Sequence, residues 1–245
     1  MERDNDGQIN NSTRHLPVLL DPILELFSAD SAGPLSILDC TLGGGGHSAA
    51  FLNRWRDCKV TALDRDLDAI NRSGARLAQY GSRFRAIHGN FADLDTLLPA
   101  AEPFDKILAD FGFSSDQLDD PSRGFTFRAN GPLDMRMDRT AELTADTVVN
   151  RYSPGQMASV FRRGGAGGVS PRLADAIMRN RPIRDTAHLA AVCRDAVRSF
   201  ERRKRGKSAG ESGTSDPATV PFQAIRIEVN GEFEAIERCL DHLPN

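Results

Sequence analysis

The stretch ILDCTLGGGGHSAAFL, residues 37–52, decides the fold, because four consecutive glycines stand between a short apolar run and an amphipathic stretch. A flexible linker is not expected between a buried strand and the start of a helix. At such a junction glycines permit positive φ and let a ligand approach the backbone, while the free N–H groups of the helix end point outwards. We therefore interpret residues 43–46 as a cofactor loop, with a tight turn as the alternative.

The first half of the chain repeats this alternation of apolar runs and amphipathic stretches. Four runs rich in Ile, Leu and Val are typical of strands, at residues 35–41, 59–64, 83–89 and 104–110. Three intervening stretches have the apolar spacing of helices, at residues 47–55, 66–80 and 91–99. The pattern predicts an α/β fold: a Rossmann-like, doubly wound parallel sheet that binds ligands at the carboxyl ends of its strands.

The glycine spacing by itself leaves an NAD-linked oxidoreductase open. Gly44, Gly46 and Ala49 satisfy the dinucleotide pattern, and Asp64 follows Gly44 by 20 residues, at the end of the second strand. A carboxylate at that place usually accepts hydrogen bonds from ribose hydroxyls. An adenosine-containing ligand is therefore expected.

Three other residues favour a different adenosine compound. Asp39 lies inside the first strand and Asp110 ends the fourth, so two acidic groups meet where the cleft opens. Phe91 follows the third strand, where its ring can lie against adenine. Acidic strand ends suit a cation, and S-adenosyl-L-methionine carries both a sulfonium and an ammonium group. We therefore predict a methyl-donor site.

The composition is that of a globular protein, with 40% hydrophobic and 27% charged residues. No run approaches the roughly 18 apolar residues of a membrane span, and the polar start is no secretory signal. Four cysteines stand far apart without a C-x-x-C pair, which suits a reducing cytoplasm. The histidines show no ligand spacing, so we expect no metal.

The charge is unevenly distributed along the chain. Residues 151–207 hold 14 Lys and Arg against 4 Asp and Glu, although the whole chain has a net charge of -3. Such asymmetry indicates a polyanionic partner such as RNA, or else an arginine-rich helical surface that is only solvated. Six arginines are the candidate phosphate contacts: Arg162, Arg163, Arg172, Arg179, Arg181 and Arg184.

The second half has a different organisation, because the strand–helix rhythm ends after Asp110. The sequence predicts one long helix at the end, a charged linker before it, and a basic helical insertion before that. The predicted divisions are a flexible tail 1–14, a cofactor-binding domain 15–111, a structured active-site loop 112–142, a helical insertion domain 143–200, a linker 201–216 and a returning helix 217–245.

Seven motifs in this order carry a resemblance to a known family. They are HLPVLL, LDCTLGGGGHS, ALDRD, HGNF, DFGFSSDQLDDPSRGFTF, GPLDMRMD and ATVPFQAIRIEVNGE. Together they resemble the ribosomal RNA small subunit methyltransferase H family over residues 15 to about 241. The resemblance implies S-adenosyl-L-methionine-dependent methylation of the exocyclic 4-amino group of a cytosine in 16S rRNA.

The resemblance also implies a set of cofactor contacts: Gly45, Gly46, His47, Asp64, Phe91, Asp110 and Gln117. For the chemistry, Asp110 is the candidate catalytic residue, because a carboxylate at the cleft mouth can accept a hydrogen bond from the reacting amino group. The implied partner is 16S rRNA within the small ribosomal subunit.

The chain departs from the family at several places, two of which bear on the cleft and the sheet. It reads DFGFSS where family members commonly read DLGVSS, and it lacks the strands that follow the family's FQA helix. We therefore expect a shortened form whose fourth strand has an open edge, either bare or covered by a terminal segment, a second copy or another partner. A non-catalytic cofactor- or RNA-binding protein is the alternative that this departure leaves open.

Overall fold

The protein has a four-stranded parallel sheet, seen in a computed structural model that describes residues 17–28, 33–99, 103–205 and 215–242. The strand order is β3-β2-β1-β4, and the strands β1 to β4 span Ser36–Asp39, Lys59–Asp64, Phe84–His88 and Lys106–Leu108. The first strand is central, with Asp39 level with Ala62 on one side and Leu108 on the other. The predicted Rossmann-like, doubly wound sheet is confirmed.

Helices cover both faces of the sheet and continue into a separate helical layer. In chain order, α1 to α11 span Leu20–Ser28, Gly46–Arg54, Leu67–Leu77, Leu94–Leu97, Ser115–Asp119, Ala145–Arg151, Pro154–Arg163, Ser170–Asn180, Thr186–Arg205, Thr219–Asn230 and Glu232–His242. Short 3-10 turns stand before β3, before α4 and after α5.

Strand alternation divides the sheet's apolar side chains between two cores. Ile37 and Val60 point to the face covered by α1, α2 and α3, where Phe51 is fully buried. Leu38 and Leu63 point to the opposite face, where they pack with residues of α4 and α11. Both faces of the sheet are thus covered by apolar side chains that exclude water. This explains why the sequences of β1 and β2 are nearly continuous apolar runs.

A third core lies outside the sheet and joins α6 to α10 with the segment before them. Phe161, Leu173 and Ile177 are fully buried in it, and Met135 and Met137 of the 112–142 segment contribute to the same cluster. We call the residues 17–110 the sheet unit, and 143–205 together with α10 the helical unit. The 112–142 segment lies between the two units.

Several elements differ from the prediction, because local spacing misses tertiary contacts and cap geometry. The expected single helix 217–245 is two helices, since Gly231 adopts φ 54° and ends α10. Of the expected linker 201–216, residues 201–205 belong to α9, and residues 206–214 lie outside the described ranges. Residues 1–14 also lie outside them.

Two more differences concern short helices that the sequence did not indicate. The first is α1, whose apolar side chains include the buried Phe27. The second is α5, inside the predicted loop 112–142, where the Ser114 side chain caps the backbone N–H of Gln117 and the Gln117 side chain returns to the backbone N–H of Ser114. Both helices lie in turn-rich surroundings with little room for periodicity.

The fourth strand lies at the edge of the sheet, as expected. It is only three residues long, and Ile107 at its centre is 38% exposed. Within the described ranges its only partner is β1. Its outer backbone groups are therefore available for pairing.

Candidate active site

The glycine run forms a folded turn that connects the end of β1 to the start of α2. Gly43 and Gly45 have φ of 48° and 69°, which favour glycine. The Leu42 N–H donates to the Leu63 carbonyl at 2.8 Å, and the Gly43 N–H donates to Asp64 Oδ2 at 2.7 Å. These bonds fix the loop to the end of β2, so the loop is not a flexible linker.

Asp39 supports this loop from below. Its side chain is 1% exposed and accepts hydrogen bonds from Ser48 Oγ at 2.6 Å and from the Thr41 N–H at 3.1 Å. Burial raises the pKa of its carboxyl group. Thr41 Oγ1 in turn accepts from the Asp110 N–H at 2.8 Å, which ties the end of β4 to the loop. Asp39 thus positions the cleft floor and does not line the cavity.

A cavity of about 720 Å³ opens at the carboxyl ends of the strands. This volume is within the usual range for small-molecule and cofactor sites. Six of the seven expected cofactor residues line it: Gly46, His47, Asp64, Phe91, Asp110 and Gln117. The seventh, Gly45, faces α3, because a Cβ there would lie 3.1 Å from side-chain atoms of Ser73 and Leu77.

Asp64 stands at the rim of this cavity with both carboxylate oxygens engaged. Oδ2 accepts from the Gly43 N–H, and Oδ1 accepts from the Asp66 N–H at 2.8 Å. Burial raises the pKa of the carboxyl group, although these two N–H groups oppose the rise. Each carboxylate oxygen has a second lone pair, so Asp64 can still accept hydrogen bonds from a ligand's hydroxyl groups.

His47 and Gly46 hold a segment of the N-terminal side over the loop. His47 is 8% exposed, and its Nε2 donates to the Val18 carbonyl at 3.0 Å. A Cβ on Gly46 would lie only 2.5 Å from Pro17 Cγ. Gly46 and His47 therefore position Pro17 and Val18 as one wall of the cavity, besides facing the cavity themselves.

Gln117 belongs to a buried clamp that fixes the opposite wall. Its Nε2 donates to Asp66 Oδ2 at 2.8 Å, and its Oε1 accepts from the Ser114 N–H at 2.9 Å. The same Asp66 oxygen lies 2.9 Å from Nη1 of Arg123, with Asp66 1% and Arg123 4% exposed. Arg123 also donates to the carbonyls of Arg136 and Met137, each at 3.0 Å. One carboxylate thus joins the start of α3 to the 112–142 segment.

Asp110 and Phe91 meet at the mouth of the cavity. Asp110 is exposed, and within the described ranges no hydrogen bond or ion pair engages its carboxylate. The Phe91 ring packs against Phe111 with centroids 5.2 Å apart and planes tilted by 54°. A carboxylate and two aromatic rings therefore stand together where a substrate would enter.

The six candidate RNA arginines fall into two groups. Arg162, Arg179 and Arg184 are exposed, and Arg172 is half-buried, with its guanidinium 4.9 Å from the Phe200 ring centroid. The other two have internal partners. Arg163 pairs with Glu228 at 3.2 Å, and Arg181 donates to the carbonyls of Val149 and Tyr152 at 2.7 and 2.6 Å.

Two of these arginines line a second hollow, between α8 and α9. Its volume is about 430 Å³, and Arg203 joins Arg172 and Arg179 in its lining, together with Asp175 and Asp195. We call it the α8–α9 groove. Among the described residues, no group of three or more His, Cys, Asp or Glu side chains has an arrangement that could hold a metal ion, and no helix is long and apolar enough to cross a membrane.

The sequence did not reveal the Asp66 clamp or the role of Asn230. Asn230 is 5% exposed; its Nδ2 donates to the Met135 carbonyl at 2.7 Å and its Oδ1 accepts from the Met137 N–H at 2.8 Å. The available signal was the concentration of polar residues in the SSDQLDDPSRG and IEVNGE stretches. In a folded protein, buried polar side chains of this kind are hydrogen-bonded, often to backbone groups.

The parallel doubly wound sheet, the glycine turn and the cavity at the strand ends define a Rossmann-like cofactor-binding α/β protein. Residues 12–245 match the MraW methylase family. The chain belongs to this family, and it is therefore a methyltransferase. The match supports methyl transfer and gives no support to the NAD-linked alternative.

Curated relatives agree with this assignment over nearly the whole chain. The chain is 42% identical to "Ribosomal RNA small subunit methyltransferase H" of Kocuria rhizophila, over 93% of this chain and 68% of that protein. Proteins of the same name match from Synechococcus elongatus, at 41% identity over 98% and 76%, and from Acidiphilium cryptum, at 44% over 93% and 69%. Among solved structures, a coclaurine N-methyltransferase aligns at 18% identity and a TM-score of 0.29, over 36% of this chain and 25% of that one, which is too low to support an argument.

Proposed function

We propose that this protein transfers a methyl group from S-adenosyl-L-methionine to the exocyclic 4-amino group of a cytosine in 16S rRNA of the small ribosomal subunit. The observation that carries the proposal is the match, over 93–98% of the chain, to relatives named as small-subunit rRNA methyltransferases. The cavity supports it, because its residues fit a cationic adenosine compound.

The fit to the donor rests on three features of the cavity. Asp64 has lone pairs left for ribose hydroxyls, and Phe91 offers a ring to the adenine. The glycine turn leaves backbone open beside them, and the unengaged carboxylate of Asp110 at the cavity mouth can supply negative charge for the sulfonium and ammonium groups. The bound donor would supply an electrophilic methyl group.

The protein's own contribution to the reaction is positioning and charge. The lone pair of the cytosine amino nitrogen is delocalised into the ring, so an acceptor that draws its hydrogens makes the nitrogen more nucleophilic. The unengaged carboxylate of Asp110 is placed for this, with its backbone held by Thr41. The carbonyls of Phe111 and Gly112 follow directly in the chain and can accept the second hydrogen.

The RNA contacts would come from the helical unit. Exposed arginines Arg162, Arg179 and Arg184, and the α8–α9 groove with Arg172 and Arg203, present positive charge to phosphates. Arg163 and Arg181 are weaker candidates for phosphate contacts, because their guanidinium groups already have internal acceptors. In this proposal the sheet unit binds the methyl donor and the helical unit binds RNA.

We further propose that the protein works in the cytoplasm, where the small subunit is assembled, and that a second copy or another partner covers the outer edge of β4. The exposed Ile107 and the outer backbone groups of this strand support a strand pairing there. Sedimentation of the protein with and without small subunits tests this pairing. A chain that remains a monomer in both conditions contradicts it.

The proposed function is tested by transfer of a tritiated methyl group from S-adenosyl-L-methionine to small ribosomal subunits that lack the modification. We expect incorporation into a cytosine of the 16S rRNA, and a loss of about 100-fold or more in Asp110→Ala, as for removal of a positioned acceptor. Donor binding without incorporation by the wild type would contradict the proposal and favour the non-catalytic alternative.

A further inference from the structure

Two aromatic side chains next to Asp110 are unusually exposed. Phe111 and Phe113 are 38% and 39% exposed, and Gly112 between them adopts φ 136°. Phe113 lines the cavity together with Asp110 and Gly112. Exposed neighbouring apolar groups at the mouth of a cavity mark a surface that something else covers.

Both rings are held in place by contacts that leave this exposure. Phe111 packs on Phe91, as described above. Phe113 lies nearly parallel to Phe125, with centroids 6.1 Å apart and planes at 18°. The Arg226 guanidinium lies 4.7 Å from the Phe113 ring centroid, and Arg226 is itself fixed by Glu232 at 2.7 Å. The rings therefore form a rigid surface, which lowers the entropy cost of binding a flat ligand.

We infer that Phe113 is the stacking surface for the target cytosine and that Phe111 extends this surface to the rim of the cavity. The inference rests on the proposed function and names the residues that hold its substrate. A base must leave its stack before its amino group can be reached, and aromatic side chains replace the lost stacking. With the base on this surface, its amino edge would face Asp110, which lines the same cavity.

A nucleobase fits this surface better than an apolar segment of protein. The rings adjoin a carboxylate that has no partner within the described ranges, and an apolar segment would bury it unpaired. A cytosine has a flat apolar face and an amino group that donates hydrogen bonds at its edge. A cytosine can therefore stack on the rings and donate a hydrogen bond to the carboxylate at the same time.

The test compares Phe113→Leu with Phe113→Tyr in methyl transfer to undermethylated small subunits. Leucine keeps the apolar volume but loses the flat ring, whereas tyrosine keeps the ring. We expect kcat/KM for the subunits to fall about 10-fold in Phe113→Leu and to stay near the wild-type value in Phe113→Tyr, since base stacking carries that order of effect. Donor affinity, measured by calorimetry, should fall less than kcat/KM in Phe113→Leu, because the ring is assigned to the base and not to the donor.

Two further variants complete the design. Phe111→Leu should lower kcat/KM less than Phe113→Leu, because Phe111 lies at the rim. Phe233→Leu is the matched control, since Phe233 is 40% exposed on α11 and does not line the cavity. Thermal unfolding of all variants identifies any that are destabilised, and rescue by tyrosine separates loss of stacking from loss of packing.

The outcomes separate this inference from the proposed function. If the wild type methylates the subunits and Phe113→Leu does so equally well, the stacking assignment is wrong and the proposed function stands. If Phe113→Tyr loses as much as Phe113→Leu, a flat ring is not what matters and the inference is also wrong. If the wild type binds the donor and methylates nothing, the proposed function is overturned, and this inference with it.

Discussion

The sheet unit and the helical unit use their charged groups in opposite ways. In the sheet unit the carboxylates of Asp39, Asp64 and Asp66 are largely buried and accept hydrogen bonds from backbone and side chains at fixed positions. In the helical unit Arg162 and Arg179 are exposed on helix surfaces. In the proposed function, the first arrangement would be a preorganised site for a small cationic ligand, and the second a diffuse positive field for a large polyanion.

Because of this difference, we expect mutations of charged residues to affect stability and affinity differently in the two units. Removing a group from a fixed buried network leaves its partners unpaired, which is expensive. Removing a solvated surface charge changes the long-range field and little else. The four predictions below take these effects in order of size.

The largest effect is expected at the buried clamp. Arg123→Met leaves Asp66 buried without its cation, so the free energy of unfolding should fall by about 3–5 kcal/mol. The matched change in the helical unit, Arg163→Met, breaks the ion pairs with Glu228 and Glu234 that are made by an arginine side chain 46% exposed. It should cost less than about 1 kcal/mol. Chemical denaturation of both variants checks the contrast, and equal losses would remove the distinction between the units.

The next effect concerns two glycines of the same loop that have different surroundings. Gly46→Ala places a Cβ against Pro17, so we expect a loss of about 1–3 kcal/mol in unfolding free energy from overpacking. Gly44→Ala meets its nearest atom, an Asp116 oxygen, only at 4.0 Å and should be nearly neutral in stability. Denaturation curves measure both. A Gly44→Ala variant as unstable as Gly46→Ala would show that the loop is strained as a whole.

A third prediction addresses the charge field of the helical unit. Replacing Arg172, Arg179 and Arg203 together by Ala should weaken binding to 16S rRNA about 10-fold and flatten the dependence of log K on log salt by about 2–3. The control removes the same charge from the sheet unit, at Arg54, Arg56 and Lys59. Filter binding at several salt concentrations measures both slopes. Equal effects of the two triple variants would show that RNA does not favour the helical unit.

The smallest expected effect is a pH dependence of ligand affinity in the cavity at the strand ends. Because burial raises the pKa of the Asp64 carboxyl group above its usual range, its charge is lost at a higher pH than that of an ordinary aspartate. As the pH falls through the raised pKa, affinity for cationic S-adenosyl-L-methionine should fall a few-fold relative to neutral S-adenosylhomocysteine. Calorimetry with both ligands across this range checks the ratio. A ratio independent of pH would separate Asp64 from recognition of the positive charge.

The same raised pKa sets the sign of this group's effect on folding. A carboxyl group whose pKa is higher in the folded state favours folding when protonated, so its contribution is fully present below about pH 3.8 and is lost as the pH rises through the folded value. At neutral pH the ionised Asp64 carboxylate opposes folding, which is consistent with a role for this carboxylate in ligand binding.

The strand ends and the glycine turn were predictable because their signals are local. The apolar run into Asp39, the glycines and the spacing to Asp64 all lie within one strand–helix–strand unit. The Asp66 clamp was not predictable, because Gln117 lies 51 residues away in the chain and Arg123 further still. Tertiary packing decides such pairs, and a sequence by itself shows only that polar residues are present.

The arginines and the final helix show a second limit of the sequence. Arg163 and Arg181 looked like the other candidate RNA contacts, since neither charge nor spacing reveals that Glu228 and the end of α6 engage them. Gly231 lies inside the stretch that the sequence predicts as one long helix, although its positive φ ends α10. In both cases the deciding information is conformation and not residue type.

The central claim is that the cavity at the strand ends binds S-adenosyl-L-methionine, and calorimetric titration tests it most directly. We expect one molecule of S-adenosyl-L-methionine to bind per chain, Asp64→Asn to weaken its binding about 10-fold as one hydrogen-bonded carboxylate is lost, and NAD to give no binding heat. Binding of NAD that Asp64→Asn abolishes, or S-adenosyl-L-methionine binding that Asp64→Asn leaves unchanged, would contradict the claim.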